Sequence, residues 1–332
     1  MPKRAQLGPM KDKILALLLL SAFWVGCGDE PVKPKVTEKP QVTTPQFDAD
    51  SAYAYIAKQV AFGPRVPNSA EHAACGDWLV QKLSSYGADV IEQKAVVTAY
   101  DGTALNMRNI IGQFAPEKKN RIMLYAHWDT RPFADKDSIR QKEPIDGAND
   151  GGSGVGVLLE IARMIHAQAP STGVDIVFFD TEDYGAPEGF ETGDYTDWCL
   201  GSQYWAENKH RPNYRAKYGI LLDMVGAKDA VFNREGTSVA TSPMVVDKVW
   251  RTAQKLGYGG YFHDKVTPQT VDDNYFVTMG GVPSANIVQY HVDVLPMGYG
   301  FFHHTHKDNM DIIDTQTLKA VGQTVAECIY QD

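Results

Sequence analysis

The residues of this chain able to do chemistry come in a fixed order: His127-Trp128-Asp129, Asp150 in a glycine-rich run, Glu182-Asp183, Asp223, Asp272-Asp273 and His303-His304. One neutral imidazole with two carboxylates is a common open catalytic zinc set, because three protein donors leave a coordination position for water or substrate. Adjacent carboxylates such as Glu182-Asp183 can divide their labour, one binding metal while its neighbour, kept off the metal, moves protons. A solvated surface pair is the plainer reading, but Glu182-Asp183 directly follows a hydrophobic run. A lone histidine is more often structural than a ligand; His303, His304 and His306 fall within four residues, which favours metal. Asp272-Asp273 is more acid than a plain zinc hydrolase needs.

The elements around these residues explain how they meet. Helices are expected from Asp50-Ser51 through Val60, from Ser69 to Gly87, from Val155 to His166, from Met244 to Leu256 and from Thr317 to Ile329, each on an apolar stripe. Strands are expected at 90–97, 109–114, 121–126, 174–180, 218–223 and 282–289. Strands alternating with helices predict a single α/β domain: a central mixed, mostly parallel twisted sheet flanked by helices. Ligands bind beyond the carboxyl ends of such strands. His127, Glu182, Asp183 and Asp223 each sit just past one, so scattered residues become one site. Gly151-Gly152-Ser153-Gly154-Val155-Gly156 lacks the spacing of a dinucleotide-binding turn. Close backbone packing at a helix start is one reading, and positioning of Asp150 as a metal ligand is the preferred one.

At 332 residues and 43 % hydrophobic the chain can bury a large core. A net charge of −9 argues against nucleic-acid binding, which wants a basic face. Lys11 and Lys13, the apolar run Ile14–Leu20 and Val25-Gly26-Cys27 have the form of a bacterial lipoprotein signal over residues 1–27, with Cys27 as the lipid anchor. An ordinary cleaved signal is the alternative, and Met10 is an alternative start. Residues 28–46, rich in Pro, Lys and Thr, read as a flexible tether, and the catalytic domain is expected over 47–332. The expected location is therefore the periplasmic side of a bacterial membrane. Cys75, Cys199 and Cys328 remain, an odd number that favours buried thiols over a disulfide framework. No heptad or other interface pattern is seen, so a monomer is expected.

Taken together, His127-x-Asp129, Gly147-Ala148-Asn149-Asp150, Phe178-Phe179-Asp180-Thr181-Glu182-Asp183, Leu221-Leu222-Asp223-Met224-Val225-Gly226, Asp272-Asp273 and His304-Thr305 resemble the M28 zinc peptidase family over about residues 48–331. Within it the chain is similar to the type II glutaminyl-peptide cyclotransferases, and Asp183-Tyr184-Gly185-Ala186-Pro187 with Trp198-Cys199-Leu200-Gly201 to those of Bacteroidetes. The resemblance implies one zinc ion held by Asp150, Asp183 and His304, Glu182 as general acid/base, and Asp223 with Asp272 as a hydrogen-bonded acidic pair. It also implies a pocket walled by Trp198, Tyr299 and His303. The chain departs from animal cyclases in having Asp183 for Glu, His303 for Trp and Val271 for Gln.

The implied reaction is cyclisation of an N-terminal glutamine of peptides or proteins to pyroglutamate with loss of ammonia. Two other readings stand beside it. In a two-zinc aminopeptidase, His127 and Asp223 would hold a second metal bridged by Asp150, and Glu182 would activate water. A non-catalytic binding domain on the same fold is the other, disfavoured because every expected donor is present.

Overall fold

The computed structural model describes residues 43–187, 190, 196–294 and 298–332. The signal, Cys27 and most of the tether lie outside the described residues. Residues 43–46, expected in the tether, are packed: Gln323 donates to the Pro45 carbonyl and Gln331 to the Thr44 hydroxyl. Phe47 is buried, its amide bonded to Gln323.

The chain runs through α1 (Ala49–Val60), α2 (Ala70–Ser85), β1 (Asp89–Thr98), β2 (Ala104–Phe114), β3 (Arg121–His127), α3 (Gly152–Ala167), β4 (Gly173–Phe179), α4 (Leu200–Glu207) and β5 (Gly219–Asp223). It continues through β6 (Phe232–Arg234), α5 (Gly236–Thr241), α6 (Pro243–Lys255), β7 (Phe262–Val266), α7 (Asp273–Met279), β8 (Ser284–Val288) and α8 (Thr315–Tyr330). The α1 cap is Asp48, two residues earlier than expected, its carboxylate taking the amides of Asp50 and Ser51. Ser69 caps α2 as expected.

Six strands form one sheet in the order β1-β2-β4-β3-β5-β8. β4, β3, β5 and β8 are mutually parallel, while β1 and β2 add antiparallel at one edge. The alternation of side chains along β3 separates two apolar layers. Ile122, Leu124 and Ala126 join the larger one with α1, α2, α3, α6 and α8; Met123 and Tyr125 join Trp205 of α4 and Val277 of α7 on the other face. Both faces of the central strands are thus covered, as a parallel sheet requires.

β6, β7, α4, α5 and α7 were not expected from the sequence. They span three to eight residues, too short to carry a period. α7 matters to the site, because Asp272 is its N-cap residue.

Candidate active site

Parallel pairing sets the carboxyl ends of β3, β4, β5 and β8 side by side, His127 beside Phe179 and Asp223 beside Val288. The loops leaving those ends carry the site. Their backbones are fixed by two buried aspartates acting alike. Asp129 accepts the amides of Glu182 and Asp183, each at 3.1 Å. Asp308 accepts the amides of Asn149 and Asp150, at 2.7 and 3.0 Å. Glycine is required where α3 begins: Gly151 has φ +81°, and a Cβ there would stand 2.8 Å from the Asp129 carbonyl. Gly154 lies against β5, where a Cβ would stand 2.1 Å from the Leu222 carbonyl. That close approach is what sets Asp150, just ahead of α3, level with Asp223. Left-handed backbone at Thr181, Cys199, Met224 and His304 clusters at the same rim; such strain collects where surrounding structure over-determines a functional geometry.

A cavity of about 370 Å³ opens here, and the nine site residues expected from the described part of the sequence all line it: Asp150, Glu182, Asp183, Trp198, Asp223, Asp272, Tyr299, His303 and His304. Three converge as a donor set. His304 Nε2 lies 3.3 Å from Asp183 Oδ1 and 3.8 Å from Asp150 Oδ2. Asp150 Oδ2 and Asp183 Oδ2 are buried without a hydrogen-bond partner. Two orphaned carboxylate oxygens beside an imidazole nitrogen fit a divalent cation, and an N/O/O set suits zinc. His304 Nδ1 lies 3.5 Å from Asp135, the carboxylate–histidine arrangement that fixes a ligand's tautomer and orientation.

A second acidic cluster adjoins the first. Burial holds the Glu182 carboxyl well above its usual range; His127 opposes this and the charges of Asp183 and Asp272 reinforce it. Glu182 Oε1 accepts the Cys199 thiol at 3.4 Å. Burial and then Asp223 push Asp272 well up in the same way. Among the described residues no hydrogen bond joins Asp223 to Asp272. Asp272 is held instead by the Asp273 amide at 2.5 Å and Asn286 Nδ2 at 2.7 Å. Asp223 faces His127 Nε2 at 3.3 Å, and that same nitrogen lies 3.1 Å from Asp150.

Aromatic groups make the walls. Trp198 stacks on His304 with the rings 7° from parallel and 6.0 Å apart. Tyr299 sits over His303, centroids 4.7 Å apart. Burial and the neighbouring charges of His304 and Lys136 hold His303 well below its usual pKa, so this wall is neutral. Arg131, Asp135, Asp308 and Cys199 are functional neighbours the sequence reading missed. Arg131 lies two residues beyond Asp129 and Asp308 four beyond His304, a nearness in sequence that by itself assigns no role.

The sequence pattern of peptidase family M28 matches residues 109–329, and the chain belongs to that family. Among solved structures, a glutaminyl cyclase from Tannerella forsythia is 53 % identical with a TM-score of 0.84, covering 87 % of this chain and 100 % of its own. A Bacteroides thetaiotaomicron glutaminyl cyclase bound to N-acetylhistamine is 51 % identical with a TM-score of 0.85, over 87 % and 100 %. A Zn-dependent exopeptidase from Parabacteroides distasonis is 52 % identical with a TM-score of 0.85, again over 87 % and 100 %. The chain spans 62 % and 44 % of the first curated relatives it matches, YfbL of Escherichia coli and aminopeptidase YwaD of Bacillus subtilis.

Proposed function

We propose that the chain is a zinc-dependent glutaminyl-peptide cyclotransferase, converting the N-terminal glutamine of peptides and proteins to 5-oxoproline with release of ammonia. The observation that carries this reading is the pairing of two acidic centres. One is a donor set of Asp150, Asp183 and His304. The other is Glu182, Asp223 and Asp272, with Asp272 pinned off the metal by Asn286 and the Asp273 amide. Similarity to the Tannerella and Bacteroides cyclases supports it.

Zinc bound by Asp150, Asp183 and His304 would supply Lewis acidity toward the γ-carbonyl of the substrate. The remaining work falls to the chain. The α-amine attacks its own side chain, so no outside nucleophile is recruited and the site must hold a folded near-attack conformer. Trp198, Tyr299 and His303 wall the cavity in which that conformer would be held. Glu182 has a carboxyl raised by burial, placing it where it can take a proton from the α-amine and pass it to departing ammonia. Burial and the charge of Asp223 favour a protonated Asp272, leaving the Asp223 carboxylate as an acceptor for the substrate amine.

A second reading has one observation of its own. Donor atoms of His127, Asp150 and Asp223 lie within 4.8 Å of one another, where an aminopeptidase would place another zinc. Incubating the protein with a Gln-initiated and a Leu-initiated peptide separates the two. Cyclotransfer releases ammonia from the first and leaves the second intact. Release of a free amino acid makes water the nucleophile and replaces the proposal.

We also propose, from the sequence alone, that the mature protein begins at Cys27, carries lipid there and acts as a monomer on the periplasmic side of a bacterial membrane. Cys27→Ser should move it from the membrane to the aqueous fraction; unchanged membrane association refutes the anchor.

A further inference from the structure

We propose that Arg131 is the positioning residue that holds the zinc donors and the aromatic wall of the pocket in one register. The proposal rests on the zinc reading of Asp150, Asp183 and His304 but not on the identity of the reaction.

Arg131 is a cation with 1 % of its side chain exposed. Its Nε and one terminal nitrogen fork onto the two oxygens of Asp135 at 2.8 and 2.7 Å. Asp135 in turn faces His304 Nδ1 at 3.5 Å. The other terminal nitrogen donates to the backbone carbonyls of Asp183 at 3.0 Å and Gly185 at 3.3 Å, and lies 3.5 Å from the Asp183 carboxylate. The flat faces of the guanidinium are occupied as well: Cζ lies 4.7 Å from the Trp198 ring centroid and 4.5 Å from that of Phe133. Trp198 is the ring that stacks on His304.

One planar group therefore touches the loop of one donor, the orienting partner of another, and the wall against which substrate must lie. Its charge also matters. Asp135, Asp150 and Asp183 are three carboxylates in a buried space, and Arg131 offsets one of them before any metal arrives. Only arginine meets all of these demands. A fork matching a carboxylate, further donors for carbonyls and a stacking plane are features lysine lacks, so the substitution that keeps the charge removes the geometry.

The test uses Arg131→Lys and Asp135→Asn in the full protein, read first by zinc affinity in chelator competition without substrate. Thermal unfolding at saturating zinc controls for folding. Arg131→Lys is expected to lose on the order of 10- to 100-fold in zinc affinity, the usual cost of an outer partner of a metal ligand. With metal saturating, it should raise KM for a Gln-initiated peptide more than it lowers kcat, because the Trp198 wall is released. Asp135→Asn should weaken zinc by a similar factor with a smaller effect on KM, and the double variant should lose less than the sum of the singles, as residues in one network do. Wild-type zinc affinity in Arg131→Lys overturns the proposal, and so do strictly additive losses. Where Arg131→Lys is too unstable to purify, wild-type zinc affinity in Asp135→Asn overturns it equally. A protein that binds zinc as expected but cyclises nothing would sink the cyclotransferase reading and leave Arg131 in place.

Discussion

Asp308 holds the backbone of Asp150: its Oδ2 accepts the Asp150 amide at 3.0 Å while Oδ1 takes the neighbouring Asn149 amide at 2.7 Å. Asp308 lies four residues past His304, so this grip ties together the loops of two proposed zinc donors that are 154 residues apart in the chain. Asp308→Asn would turn an amide NH2 toward one of those N–H donors, leaving a buried donor without an acceptor. Zinc affinity should fall about tenfold or more, as for other outer partners of metal ligands. Chelator competition checks this, and unchanged affinity would show that the Asp150 loop needs no such clamp.

Glu182 borders the donor set without belonging to it, and its carboxyl is raised by burial. Glu182→Gln keeps the shape and removes the titrating oxygen. Turnover of a Gln-initiated peptide should drop by roughly 10² to 10⁴, the range of general acid–base catalysis. Bound zinc, measured by elemental analysis, should stay at the wild-type level. Retained activity would take Glu182 out of the mechanism.

Much of this site could be read from the sequence because its residues sit at strand ends. The runs Ile122–Ala126 and Ile176–Phe179 are apolar throughout, as strands buried on both faces tend to be, and they locate His127 and Glu182-Asp183 without help from tertiary contacts. Asp272 was readable as a residue but not as a position: it caps a seven-residue helix whose sequence carries no helical period. Arg131 and Asp308 were harder still. A buried arginine or aspartate looks like any surface charge until the groups it satisfies are folded against it, and those groups are mostly backbone amides and carbonyls that sequence does not mark.

His210 gives a pH dependence away from the metal donors. Burial, only partly opposed by Asp175, lowers its pKa to about 4, and Nδ1 accepts from Trp205 Nε1 at 3.0 Å. The unfolded chain has an ordinary imidazole near 6.5. Above that value both states are neutral and the group adds no pH dependence. As pH falls from about 6.5 toward about 4 the unfolded state takes a proton that the folded state refuses, so stability is lost across that window. The loss attributable to His210 is at most roughly 3 kcal/mol. The urea midpoint should fall more between pH 7 and pH 4.5 for wild type than for His210→Gln; an equal fall in both would assign the acid sensitivity elsewhere.

Gly154 lies where α3 crosses β5, and a Cβ there would stand 2.1 Å from a backbone carbonyl and 2.8 Å from the Ala126 side chain. Neither neighbour can swing aside, so Gly154→Ala must push α3 off the sheet. The cost should be about 2 kcal/mol or more, in the upper half of the usual range for overpacking or beyond it. Because Asp150 immediately precedes α3, zinc affinity should fall along with the unfolding midpoint. Loss of stability with unchanged affinity would separate the helix packing from the placement of Asp150.

The count of bound metal is the sharpest test between the two chemistries. His127 Nε2 stands 3.1 Å from Asp150 and 3.3 Å from Asp223, so a proton on this nitrogen is shared by one oxygen of each carboxylate. Displacing it for a second zinc would set a dication beside a first one while Asp272 is engaged by Asn286 and the Asp273 amide. One zinc per chain is therefore expected after dialysis against micromolar zinc. His127→Ala should leave that stoichiometry unchanged, since its imidazole is no part of the Asp150, Asp183 and His304 set. Two zinc ions in the wild type falling to one in His127→Ala would mean that His127 is a ligand, and the aminopeptidase arrangement would then describe this site better than the cyclotransferase one.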